Sequence, residues 1–306
     1  VATAANCGAN GQVHCVSATL VEKASAKINL TLRVIGRRTD GYHELESLVV
    51  FADIADTLTL RTSQDGLEIT GPFASKTGSA ADNLVFKAVA AVRGRIADVK
   101  AGHFLLEKNV PVAAGLGGGS ADAAAALRLI ARTNGLALDD PRLFSAAHAV
   151  GADVPVCLDP RPRIMRGIGE LLSDPLDLPA LPAVLVNPGV PLATRDVFGK
   201  FRSGKHGSDI AGVPHDVDAL IEFLEQHGND LTSAASACEP VIAEVLAALR
   251  GLSGAKLARM SGSGPTCFAL FGSREEAAAA AQRLVKEHNN WWVKPTTLGS
   301  APGINS

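Results

Sequence analysis

From residue 26 to 34 the chain alternates strictly, with Ile28, Leu30, Leu32 and Val34 on one face and Lys27, Asn29, Thr31 and Arg33 on the other. That period of two predicts a strand with one apolar face. A second strand is expected at 57–61, turned back by Gln64-Asp65-Gly66 into a third at 67–70. Asp82 is placed to cap a helix running from Asn83 to about Arg93. Residues 103–110 read as a strand entering a glycine-rich loop, and 121–130 as an unbroken run of helix formers. Asp140-Pro141 opens a further helix, which Gly151 ends.

A stretch rich in Pro, Arg and Gly, 159–182, holds the expected junction between two domains, 21–175 and 176–306, with 1–20 as a disordered extension. Beyond the junction the pattern gives a strand at 183–187 and helices near 216–227 and 239–250. Strands at 256–261 and 266–271, a helix at 274–287 and a strand at 291–297 follow. The order βααββαβ predicts a ferredoxin-like split-βαβ sandwich, and the whole chain an α+β protein of two domains.

At 306 residues, 47% hydrophobic and 20% charged, the chain can bury two cores of ordinary size. A net charge of −2 gives no general attraction to nucleic acid or anionic membrane. No run approaches the 18 apolar residues of a membrane span, and the first 20 lack the pattern of a signal peptide. The five cysteines, at 7, 15, 157, 238 and 267, have no CxxC spacing and read as reduced thiols of a cytoplasmic protein. Cys7, His14 and Cys15 could chelate a metal in principle, but they fall in the weakest-patterned segment. No histidine has HExxH or HxH spacing, so no metal site is expected.

The most informative stretch is Pro111-Val112-Ala113-Ala114-Gly115-Leu116-Gly117-Gly118-Gly119-Ser120-Ala121. Four glycines in five positions permit φ > 0 and close backbone approach to a ligand. Ser120 stands where an N-cap is expected. A glycine turn opening a helix offers unpaired N–H groups and the positive end of the helix dipole, which together suit phosphate. The lysine of a Walker A loop is absent, and so is the acidic residue of a dinucleotide fold. A glycine hinge before a packed helix is the plainer alternative.

Lys27 and Asn29 share the polar face of the first strand, which is either solvated or matched to a buried partner. Asp153, in Gly151-Ala152-Asp153-Val154-Pro155, is one candidate partner. It is read as lying just past a helix C-terminus, where a carboxylate calls for a cation. Asp40-Gly41 is a turn signal, so Tyr42 (the single tyrosine) and His43 emerge from a turn. Such a pair either packs on the core or stacks on a planar base and bonds its edge. Ser261-Gly262-Ser263-Gly264-Pro265-Thr266 is a second small-residue loop, between two strands, that could close over a site.

The loop Pro111–Ala124 resembles the phosphate loop of the GHMP kinases. Ala26-Lys27-Ile28-Asn29-Leu30, Asp40-Gly41-Tyr42-His43 and Gly151–Pro155 are similar to one branch of that family. That branch phosphorylates the 2-hydroxyl of 4-(cytidine 5′-diphospho)-2-C-methyl-D-erythritol in non-mevalonate isoprenoid biosynthesis. The resemblance spans roughly residues 22–298, in order, and implies an N-terminal kinase domain followed by a GHMP C-terminal domain. It implies that Lys27 and Asp153 are catalytic, that Pro111 to Ala121 hold the ATP phosphates, and that Asn83 lies near the adenine. Tyr42 and His43 would hold the cytosine, with Phe198, after Thr194, on the other face of the base, and Asn29 would position the erythritol. ATP is the implied co-substrate, with Mg²⁺ held mainly by its phosphates, and the implied assembly is a monomer or weak dimer. Pro160-Arg161-Pro162-Arg163 stands where relatives usually carry glycine.

Overall fold

The computed structural model describes residues 19–62, 64–79, 82–202 and 209–303. Cys7, His14 and Cys15 lie outside the described residues. The first half begins with β1 (Thr19–Asn29), β2 (Arg33–Arg37) and the 19-residue β3 (His43–Arg61). β4 (Gly66–Thr70), α1 (Leu84–Arg93) and β5 (His103–Glu107) follow, then α2 (Gly118–Asn134), α3 (Pro141–Val150) and α4 (Val154–Leu158). β6 (Arg163–Gly167) and β7 (Leu171–Leu172) lie within the stretch expected to be a junction. β6 pairs with β3 from Leu45↔Gly167 to Val49↔Arg163, so much of that stretch belongs to the first half's sheet. The Pro160–Arg163 segment is clasped by Asp159, which accepts from Arg161 Nη2 at 2.6 Å and also pairs with Arg163.

The second half comprises β8 (Leu181–Asn187), α5 (Thr194–Lys200), α6 (Val217–Gln226), α7 (Thr232–Cys238) and α8 (Val241–Arg250). β9 (Leu257–Met260), β10 (Cys267–Leu270), α9 (Arg274–Glu287) and β11 (Trp292–Gly299) complete it. The order β11-β8-β10-β9 is antiparallel throughout, the ferredoxin-like arrangement expected of a split βαβ. β11 also pairs with β3, at Leu298↔Ala52 and Gly299↔Phe51, so the two halves share one eleven-stranded sheet.

Three expectations are corrected. The run 26–34 is not one strand: pairing of β1 ends at Asn29, and Leu32 bridges to Asn229 before β2 begins. Its polar face is not solvated, because Lys27, Asn29 and Thr31 are all under 5% exposed. The strand also reaches back to Thr19, two residues into the expected extension, where Thr19 and Leu20 pair with Arg61 and Leu60. Second, 57–70 is not a hairpin. β5 inserts between β3 and β4, antiparallel to the first and parallel to the second. Third, Asn83 rather than Asp82 caps α1, its side chain accepting from Val85 N at 2.9 Å.

Helix α2 is the organising element of the first core. Eleven of its residues are buried, among them Leu127, Leu129 and Ile130 at 0% exposure. Each such side chain contributes on the order of 1.5–3 kcal/mol as an upper estimate. Its alanines, Ala121 and Ala123 to Ala126, let the helix lie close against β1, which fixes where the glycine loop before it must sit.

Candidate active site

The glycine loop runs from Pro111 to Gly117 and is anchored by burial of Ala114 and Leu116. Ala113, Gly115 and Gly117 have φ of 52°, 73° and 60°. Gly117, and not Ser120, is the N-cap of α2, and no side chain satisfies the first-turn amides. Ser120 is instead the third helical residue. Those amides line the cavity wall through Gly117, Gly118 and Gly119, as an anion site requires.

Lys27 sits at a β-bulge between Ser25 and Lys27, and its backbone N–H donates to Leu116 O at 2.8 Å. The bulge ties β1 to the loop and aims the side chain beneath Gly117. Lys27 Nζ lies 3.1 Å from Asp153 Oδ2 and donates to Asn29 Oδ1 at 3.2 Å. Asn29 is oriented in turn by Nδ2 donating to Ser47 Oγ at 2.7 Å and by its backbone N–H donating to Ser261 Oγ at 3.1 Å. The lysine side chain is 5% exposed and the aspartate 35%, so the pair is anchored on one side and open on the other. Asp153 does follow the end of α3, but it also occupies the N-cap position of the short α4, which the sequence reading missed. A carboxylate there faces the favourable end of α4, so the dipole argument reverses sign.

The second small-residue loop packs directly on the first. Ser261 Oγ donates to Gly115 O at 3.0 Å, and Thr266 N donates to Ala114 O at 3.2 Å. A Cβ on Gly115 would lie 2.6 Å from Ser261 O and 2.8 Å from Gly264 O, so the approach is one that only glycine permits. Thr194 Oγ1 and Ser263 Oγ are hydrogen-bonded at 2.9 Å, which links α5 to the same loop.

His43 stacks on Phe198, with ring centroids 4.7 Å apart and planes 22° apart, and meets Phe201 edge-on. Burial, helped by the nearby Arg37 charge, holds the His43 pKa below its ordinary value. Tyr42 is 63% exposed. Tyr42, His43 and Phe198, the three residues that the resemblance implied for the cytosine, all line the same cavity. Phe198 lies on α5, a helix that the sequence reading did not anticipate.

A cavity of about 1280 Å³ joins these parts, lined by Lys27, Asn29, Asp153 and the glycine loop together with Tyr42, His43, Thr194 and Phe198. A smaller cavity of about 130 Å³ on the other side of Gly118 and Gly119 is lined by Asn83, Pro111, Val112, Lys108 and Asp122. Ser120 lines the larger cavity, and Ala121 is buried behind it. Under the loop lies a cluster that sequence reasoning missed. Lys108 Nζ pairs with Asp56 and, at 2.7 Å, with Asp122 Oδ2, all three at most 3% exposed. Only Asp122 is a lone charge in its run; Lys108 follows Glu107 and Asp56 lies near Asp53, so no local signal joins the three.

The sequence matches two family models, "GHMP kinases N terminal domain" over residues 83–159 and "GHMP kinases C terminal" over 210–290. It is 53% identical to a Bradyrhizobium diazoefficiens protein named 4-diphosphocytidyl-2-C-methyl-D-erythritol kinase, covering 91% of this chain and 98% of that one. A relative of the same name from Rhodopseudomonas palustris is 54% identical, over 92% and 99% of the two chains. A crystal structure of 4-(cytidine 5′-diphospho)-2C-methyl-D-erythritol kinase is 35% identical, with a TM-score of 0.76 over 92% of this chain and 100% of that one. A homoserine kinase structure from Cytophaga hutchinsonii, 20% identical with a TM-score of 0.71, shares the fold.

Proposed function

Since the chain belongs to the GHMP kinase family, we infer that it transfers the ATP γ-phosphoryl group to the 2-hydroxyl of 4-(cytidine 5′-diphospho)-2-C-methyl-D-erythritol, a step of non-mevalonate isoprenoid biosynthesis. The observation that carries the reading is the Lys27–Asp153 pair, 3.1 Å apart and set against the amide-rich start of α2 in one continuous cavity.

The glycine loop amides and the α2 N-terminus bind the ATP phosphates. The acceptor oxygen attacks the γ-phosphorus, the bond to the β-phosphate oxygen breaks, and ADP leaves. The hydroxyl proton passes to the Asp153 carboxylate. An aspartate is too weak a base to ionise an alcohol in advance, so the transfer accompanies P–O bond formation. Lys27 offsets charge on the moving phosphoryl group, while its bond to Asn29 keeps it from folding away from the cavity. His43 and Phe198 take the cytosine, with Tyr42 at its exposed side, and Asn29 faces the erythritol. Asn83 lies towards the adenine end of ATP.

Mg²⁺ accompanies ATP in this reading and supplies charge neutralisation on the phosphates. Among the described residues no three His, Cys, Asp or Glu side chains gather into a metal-binding group. The ion would be held chiefly by phosphate oxygens and water, with Asp153 the acidic side chain lining the larger cavity.

The test is a substrate panel with ATP and Mg²⁺, comparing the cytidyl compound, mevalonate and homoserine. ADP release is expected with the cytidyl compound alone. Comparable turnover of either other alcohol would overturn the substrate assignment and leave a GHMP kinase of different specificity.

A further inference from the structure

The cluster beneath the glycine loop has no part in the phosphoryl transfer just described, yet its geometry is directed at the loop. Asp56, at the middle of β3 and 0% exposed, accepts with Oδ1 from Asn109 N at 2.6 Å and Val110 N at 2.8 Å, the two residues that lead into Pro111. Its other oxygen holds Lys108. Lys108 Nζ also donates to Asp122 Oδ2, in the second turn of α2. The loop thus leaves β5 and enters α2 with both ends fastened to one buried ammonium. Gly118 lies over the fastening: a Cβ there would be 3.5 Å from Lys108 Nζ and 3.8 Å from Asp56 Oδ2.

A buried charge cluster is expensive to desolvate, and an apolar set of equal volume would often hold a fold as well. What ions add is a fixed geometry between elements that packing alone leaves free to slide. Here the elements are the two flanks of a segment whose backbone adopts left-handed conformations at 113, 115 and 117. Charge balance matters as well. Two ionised carboxylates beside one lysine would leave net negative charge under a site for phosphates. Burial pushes Asp122 above the usual carboxylate range, which lessens the negative charge the cluster carries.

We propose that Lys108 is a positioning residue for nucleotide binding: held between Asp56 and Asp122, it sets the entry and exit of the glycine loop so that the amides of Gly117 to Gly119 stand in place before ATP arrives. The inference rests on the reading of the loop as the ATP phosphate site.

The experiment measures steady-state kinetics, with calorimetric Kd for ATP and for the cytidyl substrate, on wild type, Lys108→Met and Lys108→Arg. Thermal melts establish that each variant is folded. Lys108→Met is expected to raise KM and Kd for ATP at least tenfold, with the Kd for the cytidyl substrate within twofold of wild type. Lys108→Arg, which keeps a charged donor between the carboxylates, recovers most of that loss. Should Lys108→Met not fold, Lys108→Met/Asp56→Asn, which removes both charges of one pair together, is measured against the same criteria. A folded variant with wild-type ATP affinity, or with equal losses for both ligands, overturns the proposal. If wild type itself fails to use ATP, the functional reading falls instead, and the two failures are distinct.

Discussion

Gly117 stands directly over Lys27: a Cβ at position 117 would lie 3.2 Å from both Cβ and Cε of the lysine. The left-handed turn that opens α2 and the stem of the candidate catalytic cation therefore occupy adjoining space, and neither can move alone. Gly117 has φ of 60°, which a β-branched residue resists. Gly117→Val should raise KM for ATP and, by displacing Lys27, lower kcat as well, by roughly 10²-fold or more if the loss resembles that of an electrostatic group. Steady-state kinetics check both, and an unchanged kcat would separate the loop from the lysine.

Asp153→Asn and Lys27→Met should each reduce kcat by roughly 10²-fold or more, the size expected for loss of a proton acceptor or a charge-stabilising cation. ATP affinity should survive in Asp153→Asn, because the carboxylate faces the acceptor alcohol. Calorimetry with ATP and single-turnover kinetics distinguish lost chemistry from lost binding. Near-wild-type turnover in Asp153→Asn would remove this residue from the mechanism.

The stacked His43–Phe198 pair predicts a specificity effect. Phe198→Ala and Tyr42→Ala should each weaken the cytidyl substrate by about 1–3 kcal/mol if both rings stack on its base, and by less for whichever does not. His43→Ala should reduce discrimination between cytidine and uridine forms more than it reduces ATP binding. These losses should fall mainly in KM, because the base is remote from the transferred phosphoryl group. Unchanged KM values across the series would place the base elsewhere.

Stability should respond to pH through Asp122. Burial raises its folded-state pKa to about 8, against the Lys108 charge that lowers it and the Asp56 charge that adds to the rise. An acid whose folded pKa exceeds its unfolded one releases a proton on unfolding, so its contribution is full at low pH and is lost as pH rises through the folded value. The urea midpoint of wild type should therefore fall between about pH 5 and pH 8, and that of Asp122→Asn should fall less. Parallel curves would mean that Asp122 is ionised in the folded protein.

The parts legible in the sequence were those encoded within a few residues. The glycine loop announces itself by composition, and the strict alternation around Lys27 marks a strand. Where an expectation failed, the cause lay far along the chain. Lys27 and Asn29 are buried because the loop from Leu116 and the loop of Ser261 close over them, and no local pattern records that. The hairpin expected at 57–70 was lost to β5, which begins more than thirty residues after β4 starts and takes the place beside β3. Asp153 was read against the helix before it and not the five-residue helix after it, since Val-Pro-Val is a poor advertisement for a helix. The Asp56–Lys108–Asp122 cluster spans three separate elements, so its members can be joined only in three dimensions.

The strand that seams the two halves, β11, is the last of the eleven to leave the ribosome, yet it takes a place between β3 and β8. Until it arrives, both half-sheets carry an open edge along their inner margin, a template for pairing with the wrong chain. The loop at Ser261–Thr266 and the glycine loop belong to opposite halves, joined where Ser261 donates to Gly115. The wall from Leu192 to Gly264 comes from the second half, so the cavity is complete only when both halves have folded against each other.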